Sequence, residues 1–143
     1  MARNFNFSVD WDGLDAFIDE IDGMEKDIDR EIIREMNLFK GKPEEGAKSL
    51  TPVLTNELTR SISTTAVTNQ MGMIGFALGT NLHYARRMHE HRGGWGKATQ
   101  EKQRTTWRGY TPGSKYVENA VRGTEDDFEQ AMANALDRVI GRR

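Results

Sequence analysis

The chain has 143 residues, 36% of them hydrophobic and 29% charged, with a formal net charge of −2. That length and composition describe one ordinary domain that buries roughly two-thirds of its unfolded surface around a modest core, and they exclude disorder across the whole chain. No cysteine is present, which excludes a disulfide framework, a thiol nucleophile and a thiolate metal site.

The start, Met1-Ala2-Arg3-Asn4-Phe5, lacks the apolar centre of a signal peptide. No run reaches the eighteen or so apolar residues of a membrane span, so the chain is read as cytoplasmic with no membrane partner. Phe5, Phe7, Val9 and Trp11 alternate with polar residues, the period of a half-buried strand, which predicts a short edge strand over residues 4–11. Asp12 stands at a helix N-cap with Asp15 in the first turn. From there Leu14, Phe17, Ile18, Ile21, Met24, Ile28, Ile32, Met36 and Phe39 recur at three- and four-residue spacing. This apolar stripe predicts one long amphipathic helix. Gly41 and Pro43 interrupt it, and Glu44 to Leu50 is predicted as a second, shorter helix ended by Thr51-Pro52.

Beyond Pro52 the period changes. Alternation of β-branched residues from Leu58 to Ala66 predicts a strand of about ten residues, with a turn at Thr68-Asn69-Gln70 and a returning strand from Met71 to Leu78. Gly72 and Gly75 suggest a bulge or a close backbone approach in that second strand. A hairpin alone is marginal, so it must pack on the long helix or join other strands. Leu82 to Glu90 reads as a short helix. From His91 to Arg108 no period is visible, which predicts a long flexible basic loop over about 91–110 within a single domain spanning 1–143. Thr111-Pro112 reads as cap and first residue of the final helix. Its apolar face runs through Tyr116, Val117, Ala120 and Val121 and continues to Ile140, with a kink at Gly123-Thr124 and an end at Gly141.

Charge is unevenly spread. Residues 86–115 carry eight Lys or Arg against two acids, a local +6, whereas residues 1–45 carry thirteen acids against six bases, a local −7. Such segregation suits head-to-tail association of identical copies. It is equally compatible with a solvated acidic helix and a mobile basic loop.

The basic stretch invites catalytic readings that its spacing does not support. His83, His89 and His91 are six and two residues apart, not the i, i+4 pair that a helical zinc site uses. His89 and Glu90 are better read as polar groups bonding a neighbouring backbone or subunit. Gly93-Gly94-Trp95-Gly96-Lys97-Ala98 has His91 and Ala98 where a phosphate loop needs glycine and a hydroxyl. No nucleophile elbow is present, and the acids of the first helix lie on its solvent side rather than in a pocket that would raise a pKa. The reading is therefore of a non-enzymatic protein with no cofactor and no metal. What remains is a basic, aromatic arm whose Arg, Trp and Tyr suit either nucleic acid or a protein interface. The candidate interface or DNA-facing residues are Arg86, Arg87, Arg92, Trp95, Lys97, Lys102, Arg104, Trp107, Arg108 and Tyr110.

Several motifs follow one another in a definite order. After the long N-terminal helix come Ala47-Lys48-Ser49-Leu50-Thr51-Pro52 and Asn56-Glu57-Leu58-Thr59-Arg60-Ser61-Ile62, then a hairpin. Tyr84-Ala85-Arg86-Arg87-Met88-His89-Glu90 follows, and Gly113-Ser114-Lys115-Tyr116-Val117-Glu118-Asn119-Ala120 opens the last helix. In this order and spacing, from about residue 10 onward, the chain resembles the head–tail connector proteins of long-tailed bacteriophages and related prophages, also described as neck or tail-completion proteins. The motif positions that carry the resemblance are Pro52, Leu58, Arg60, Ser61, Ile62, Tyr84, Ala85, Met88, His89, Glu90, Gly113 and Tyr116. The chain departs from the family at Asn56, where glycine is frequent, and in the length of the segment from His91 to Gly109.

The resemblance implies a small α+β subunit, its long N-terminal and C-terminal helices packed on a small antiparallel sheet of hairpin plus edge strand. It implies structural work without catalysis: a virion protein, made in the host cytoplasm, in a ring commonly of six copies at the head–tail junction. The implied partners are further copies of the chain, neighbouring stopper, tail-terminator or tail-tube proteins, and double-stranded DNA held non-specifically in the lumen. Two alternatives stay open, a tail terminator capping the tail tube and a basic-loop nucleic-acid-binding protein.

Overall fold

A computed structural model describes residues 7–10, 25–53 and 55–141. The fold is α+β: helices early and late in the chain enclose short antiparallel strands. Strand β1 is Phe7–Asp10, within the segment whose alternation predicts an edge strand. The remainder of that segment, and the part of the apolar stripe from Leu14 to Met24, lie outside the described residues. Helix α1, Glu25–Phe39, carries the rest of the stripe. Ile28, Ile32, Met36 and Phe39 are all at most 2% exposed, each burial contributing about 2 kcal/mol of hydrophobic stabilisation.

Helix α2 spans Gly41–Leu50, three residues earlier than the sequence suggests. Lys40 keeps right-handed helical angles, and its amide bonds Met36 O at 2.9 Å. Gly41 therefore does not cap α1; the chain turns with little loss of helical geometry, and Pro43 sits in the first turn of α2, where its missing N–H costs nothing.

The strand expected over 58–66 begins as helix. Residues Glu57–Ser61 form α3, leaving only Ser63–Thr64 as β2. Leu58 and Ile62, four apart, are both buried, so one helical face explains them as well as one strand face does. Ser61 Oγ donates to Leu58 O at 2.7 Å and meets Thr80 Oγ1 at 2.6 Å. Small hydroxyl side chains thus bond locally rather than line a ladder.

Thr68–Gln70, read as a turn, is strand β3; the turn is Met71-Gly72, both at positive φ, leading into β4, Met73–Gly75. The single returning strand is two, since β5, Ala77–Thr80, belongs to another sheet. Strand β5 is the centre of a three-stranded antiparallel sheet, flanked by β1 and β2, while among the described residues β3 and β4 pair with each other. Phe76, between β4 and β5, is buried and packs at 6.2 Å from Phe39.

Helix α4 is Ala85–Glu90, and α5, Lys97–Lys102, lies inside the segment read as an aperiodic loop. Helix α6 starts at Tyr116, not at Pro112, and runs to Gly123. Gly113 at φ 136° and Lys115 at φ 59° break helical geometry ahead of it, and their amides bond Leu50 O (2.8 Å) and His89 O (2.7 Å) instead. The expected break near Gly123 is present. Helix α7, Glu125–Gly141, follows it, with Thr124 Oγ1 donating back to Ala120 O at 2.9 Å.

Two antiparallel helix pairs hold the core. Helix α1 lies along α7: Phe39 meets Phe128 near one end, and Arg138 reaches Glu31 near the other. Helix α2 lies along α6, with Ile62, Phe76 and the strand residues Ile74 and Leu78 completing the buried cluster. No helix among the described residues is long and apolar enough to cross a membrane.

Candidate functional site

The stretch from Tyr84 to Tyr116 divides into an anchored joint, a folded clasp and a set of free cations. The joint forms where α4 meets the start of α6. Ala85 and His89, four apart, turn inward and are buried, while Arg86, Arg87 and Glu90 face solvent. Tyr116, fully buried, donates its hydroxyl to Ala85 O at 2.7 Å and takes the His89 ring edge-on at 5.0 Å. Burial raises the Tyr116 pKa, so the phenol keeps its proton. Lys115 pairs with the Glu90 carboxylate and Ser114 donates to His91 O.

His89 is held between two partners. Nδ1 lies 3.2 Å from Glu90 Oε1, and Nε2 lies 3.4 Å from the Glu118 amide. Because the amide can only donate, Nε2 accepts and the ring proton sits on Nδ1. Burial lowers the His89 pKa, partly offset by Glu90. Hydrogen bonds from Lys115 and then His89 hold the Glu90 carboxyl below its usual range. His89 and Glu90 thus bond a neighbouring backbone and each other, one of the two roles their sequence context suggests.

The other positions that carry the resemblance also serve packing. Pro52 and Leu58 are buried, Ile62 is 1% exposed, and Tyr84 OH reaches Glu57 Oε2 at 3.3 Å. Met88 packs against the core, and Gly113 bonds Leu50 across the turn. Arg60 alone among them is exposed at the end of its helix.

The clasp is what the sequence presents as a basic aromatic arm. Trp107 is wedged where α2 and α6 approach: a Cβ at Gly46 would lie 2.5 Å from its Cη2, and one at Gly123 2.5 Å from its Cζ3. Trp107 and Tyr110 exchange backbone bonds of 2.9 Å across Arg108-Gly109, both at positive φ, a two-residue turn of the hairpin kind. Arg108 stands over the Trp107 ring at 5.0 Å and donates to Gly123 O and Asp127 Oδ1, both at 2.9 Å. Lys42 also reaches Asp127 at 2.9 Å, and the two cations, Lys42 first, hold that carboxyl below its usual value.

Lys102 is likewise structural. Its ammonium donates to Lys48 O, Thr51 O and Thr51 Oγ1 at 2.9, 2.7 and 3.1 Å, satisfying carbonyls at the negative end of α2. Burial pulls its pKa down. Helix α5 is pinned from the other side by Thr99, 1% exposed, whose Oγ1 bonds both Val53 N (2.8 Å) and Val53 O (3.2 Å). Gln103 donates to Pro112 O at 2.8 Å.

Of the ten candidate residues, Lys102, Trp107, Arg108 and Tyr110 are therefore bound into the fold, and Trp95 is half-buried against His91 at 4.6 Å. The side chains of Arg86, Arg87, Arg92, Lys97 and Arg104 are exposed and make no ion pair among the described residues. Sequence inspection grouped all ten because residue type carries no record of which cation meets a carbonyl and which meets water. The feature it missed is an acidic groove between α1 and α7, lined by Glu35, Leu38, Asp126 and Asp127 among others; the run Glu125-Asp126-Asp127 was its only trace. Among the described residues no group of three or more His, Asp or Glu is placed to hold a metal ion.

Comparison of the chain with models of known families, with curated protein sequences and with solved structures finds no match.

Proposed function

We propose that the protein is a structural subunit of the head–tail junction of a long-tailed bacteriophage, a neck or tail-completion protein that assembles head to tail into a ring. The observation that carries this reading is the convergence of the motif residues. Leu50, Ala85, His89, Gly113, Lys115 and Tyr116, drawn from three segments far apart in the chain, meet in one hydrogen-bonded joint. They act together as positioning elements, which is how motifs are used in a protein whose work is shape. On this reading the subunit needs no cofactor, and copy number follows the resemblance at six. Non-specific contact with duplex DNA in the lumen falls to the exposed cations, which can neutralise phosphates without reading bases.

Support also comes from two surfaces of opposite sign within one chain, the free cations between Arg86 and Arg104 and the groove on α1 and α7, where Asp126 makes no ion pair among the described residues. Different patches of opposite sign generate heterologous contacts, which close into rings when the rotation between copies closes and otherwise build open filaments. Native mass spectrometry across a concentration series, with particle micrographs, tests the reading. Closed rings are the expected result, and a protein that stays monomeric up to millimolar concentration sinks it.

A second reading, a duplex-binding protein without ring assembly, draws on the same five cations. Trp107 and Tyr110 count against it, since neither ring is free to stack on a base. Filter binding to duplex DNA separates the two: a monomer whose affinity falls steeply with salt favours the second.

A further inference from the structure

The groove between the C-terminal half of α1 and the first half of α7 has a volume of about 340 Å3. Its wall is partly apolar: Leu38 is 66% exposed there, beside Phe39 and Ala131. Its charge is acidic, with Glu35, Asp126 and Asp127 against Lys42. Two of these carboxylates are already engaged, Glu35 by Arg138 and Asp127 by Lys42 and Arg108. Asp126 is exposed and makes no ion pair among the described residues.

We propose that this groove receives the Arg86–Arg87 face of α4 from a second copy of the chain. The inference rests on the ring reading and supplies its interface. The two surfaces match in sign and in chemistry. An arginine stem is long and apolar enough to cover Leu38 while its guanidinium meets the Asp126 carboxylate through paired hydrogen bonds. A purely apolar occupant would desolvate Asp126 without a partner, a costly arrangement. That argues against the uncharged hairpin tip at Met71 and Met73, and against Ile140, the other large exposed apolar groups among the described residues. Arg86 and Arg87 are adjacent on a helix whose inner face is anchored by Ala85, His89 and the Glu90–Lys115 pair, so they are presented on a positioned surface. Groove and arginine face are different patches of one chain. Each copy can give one and receive the other, which propagates from copy to copy.

Two variants test this. Leu38→Asp disables the groove, and the double change Arg86→Ser with Arg87→Ser disables the donor face; all three positions are at the surface. Circular dichroism melting confirms that each variant folds, with Asp126→Lys as the groove variant should Leu38→Asp lose its transition. Native mass spectrometry then reads assembly up to millimolar protein. Each variant should associate roughly thirtyfold more weakly than the wild type, the effect of losing one interface hot spot. The decisive sample is the equimolar mixture, which should give 1:1 dimers and nothing larger, because only one intact groove-and-face pair can form. Oligomers that persist unchanged in both variants overturn the interface and leave the ring reading standing. Failure of the mixture to dimerise while the wild type assembles does the same. A monomeric wild type overturns the ring reading and the interface with it.

Discussion

The indole of Trp107 fills the space that side chains at Gly46 and Gly123 would need. Alanine in place of a helical glycine ordinarily gains about 0.5–1 kcal/mol, whereas forcing a methyl against a pinned ring costs about 1–3 kcal/mol. The clash should win. Gly46→Ala is expected to lower stability by about 1 kcal/mol in urea titration. Trp107→Ala alone should cost about 3 kcal/mol. In that background the added methyl has room, so Gly46→Ala should reverse sign and stabilise by about 0.5 kcal/mol. Equal effects of Gly46→Ala in the two backgrounds would contradict the wedge.

His89 makes a second prediction at this scale. Its ring is bonded as the neutral form, and a proton on Nε2 would set two donors against each other at the Glu118 amide. The groups facing it are Glu90 on its own helix and Lys115, Tyr116 and Glu118 across the joint. Since burial puts the folded value below the unfolded value of about 6.5, the folded state binds fewer protons. Its contribution is complete above about pH 6.5 and is lost as pH falls from there towards the folded value. Asp127 and Glu90, both held below their usual values, act in a lower window and lose their contribution only as pH drops through the carboxylate range. Thermal melts from neutral pH down to about pH 5 should therefore decline for the wild type and stay flatter for His89→Gln.

Among the elements, the β3–β4 hairpin departs most from its own turn chemistry. Met71 at φ 56° and Gly72 at φ 85° form a two-residue turn in which asparagine is the favoured first residue. Methionine there carries a left-handed backbone at about 1 kcal/mol, with its side chain fully exposed. Met71→Asn should raise the unfolding midpoint, by about 0.5 kcal/mol in stability, because asparagine tolerates that conformation. Helix α5 shows the opposite relation between local chemistry and structure. Six residues of Lys-Ala-Thr-Gln-Glu-Lys are too few to hold a helix alone; Thr99 on Val53 and Lys102 on α2 hold it.

At the scale of the whole molecule, the first described helix and the last are tied by one arginine. Arg138 reaches both Glu31 and Glu35, whose side chains are only 4% and 7% exposed. Removing the cation leaves two nearly buried carboxylates without it. Arg138→Met should cost about 2 kcal/mol, the figure for a buried pair discounted because the arginine is itself a third exposed. Denaturant unfolding with an unchanged m-value would place that loss on stability rather than on compactness.

Charge asymmetry also reads differently in three dimensions. Of the −7 in residues 1–45, residues 26–45 hold six acids against five bases, so nearly all the excess lies before Lys26. Within the described residues the groove on α1 and α7 adds one exposed carboxylate without an ion pair, Asp126.

The sequence by itself determined the elements whose order is carried by a long run. Ile28 through Phe39 on α1 and Ala131 through Val139 on α7 repeat at helical spacing over several turns, and a repeat of that length has one physical solution. The α+β class and the edge position of β1 followed from the same kind of signal. Short segments were another matter: Leu58 and Ile62 satisfy a helix face and a strand face equally, and the tertiary partners Thr51 and Thr80, bonded by Thr59 and Ser61, come from parts of the chain that the local pattern does not see. The candidate site divided for the same reason. Lys102 and Arg104 are two residues apart in one polar run, yet the first caps α2 through Thr51, fifty-one positions away, and the second meets solvent. Periodicity reports how a segment would bury itself against a generic apolar surface. Which carbonyl, glycine or carboxylate waits at that surface is set by distant parts of the chain, and only the tertiary structure brings them together.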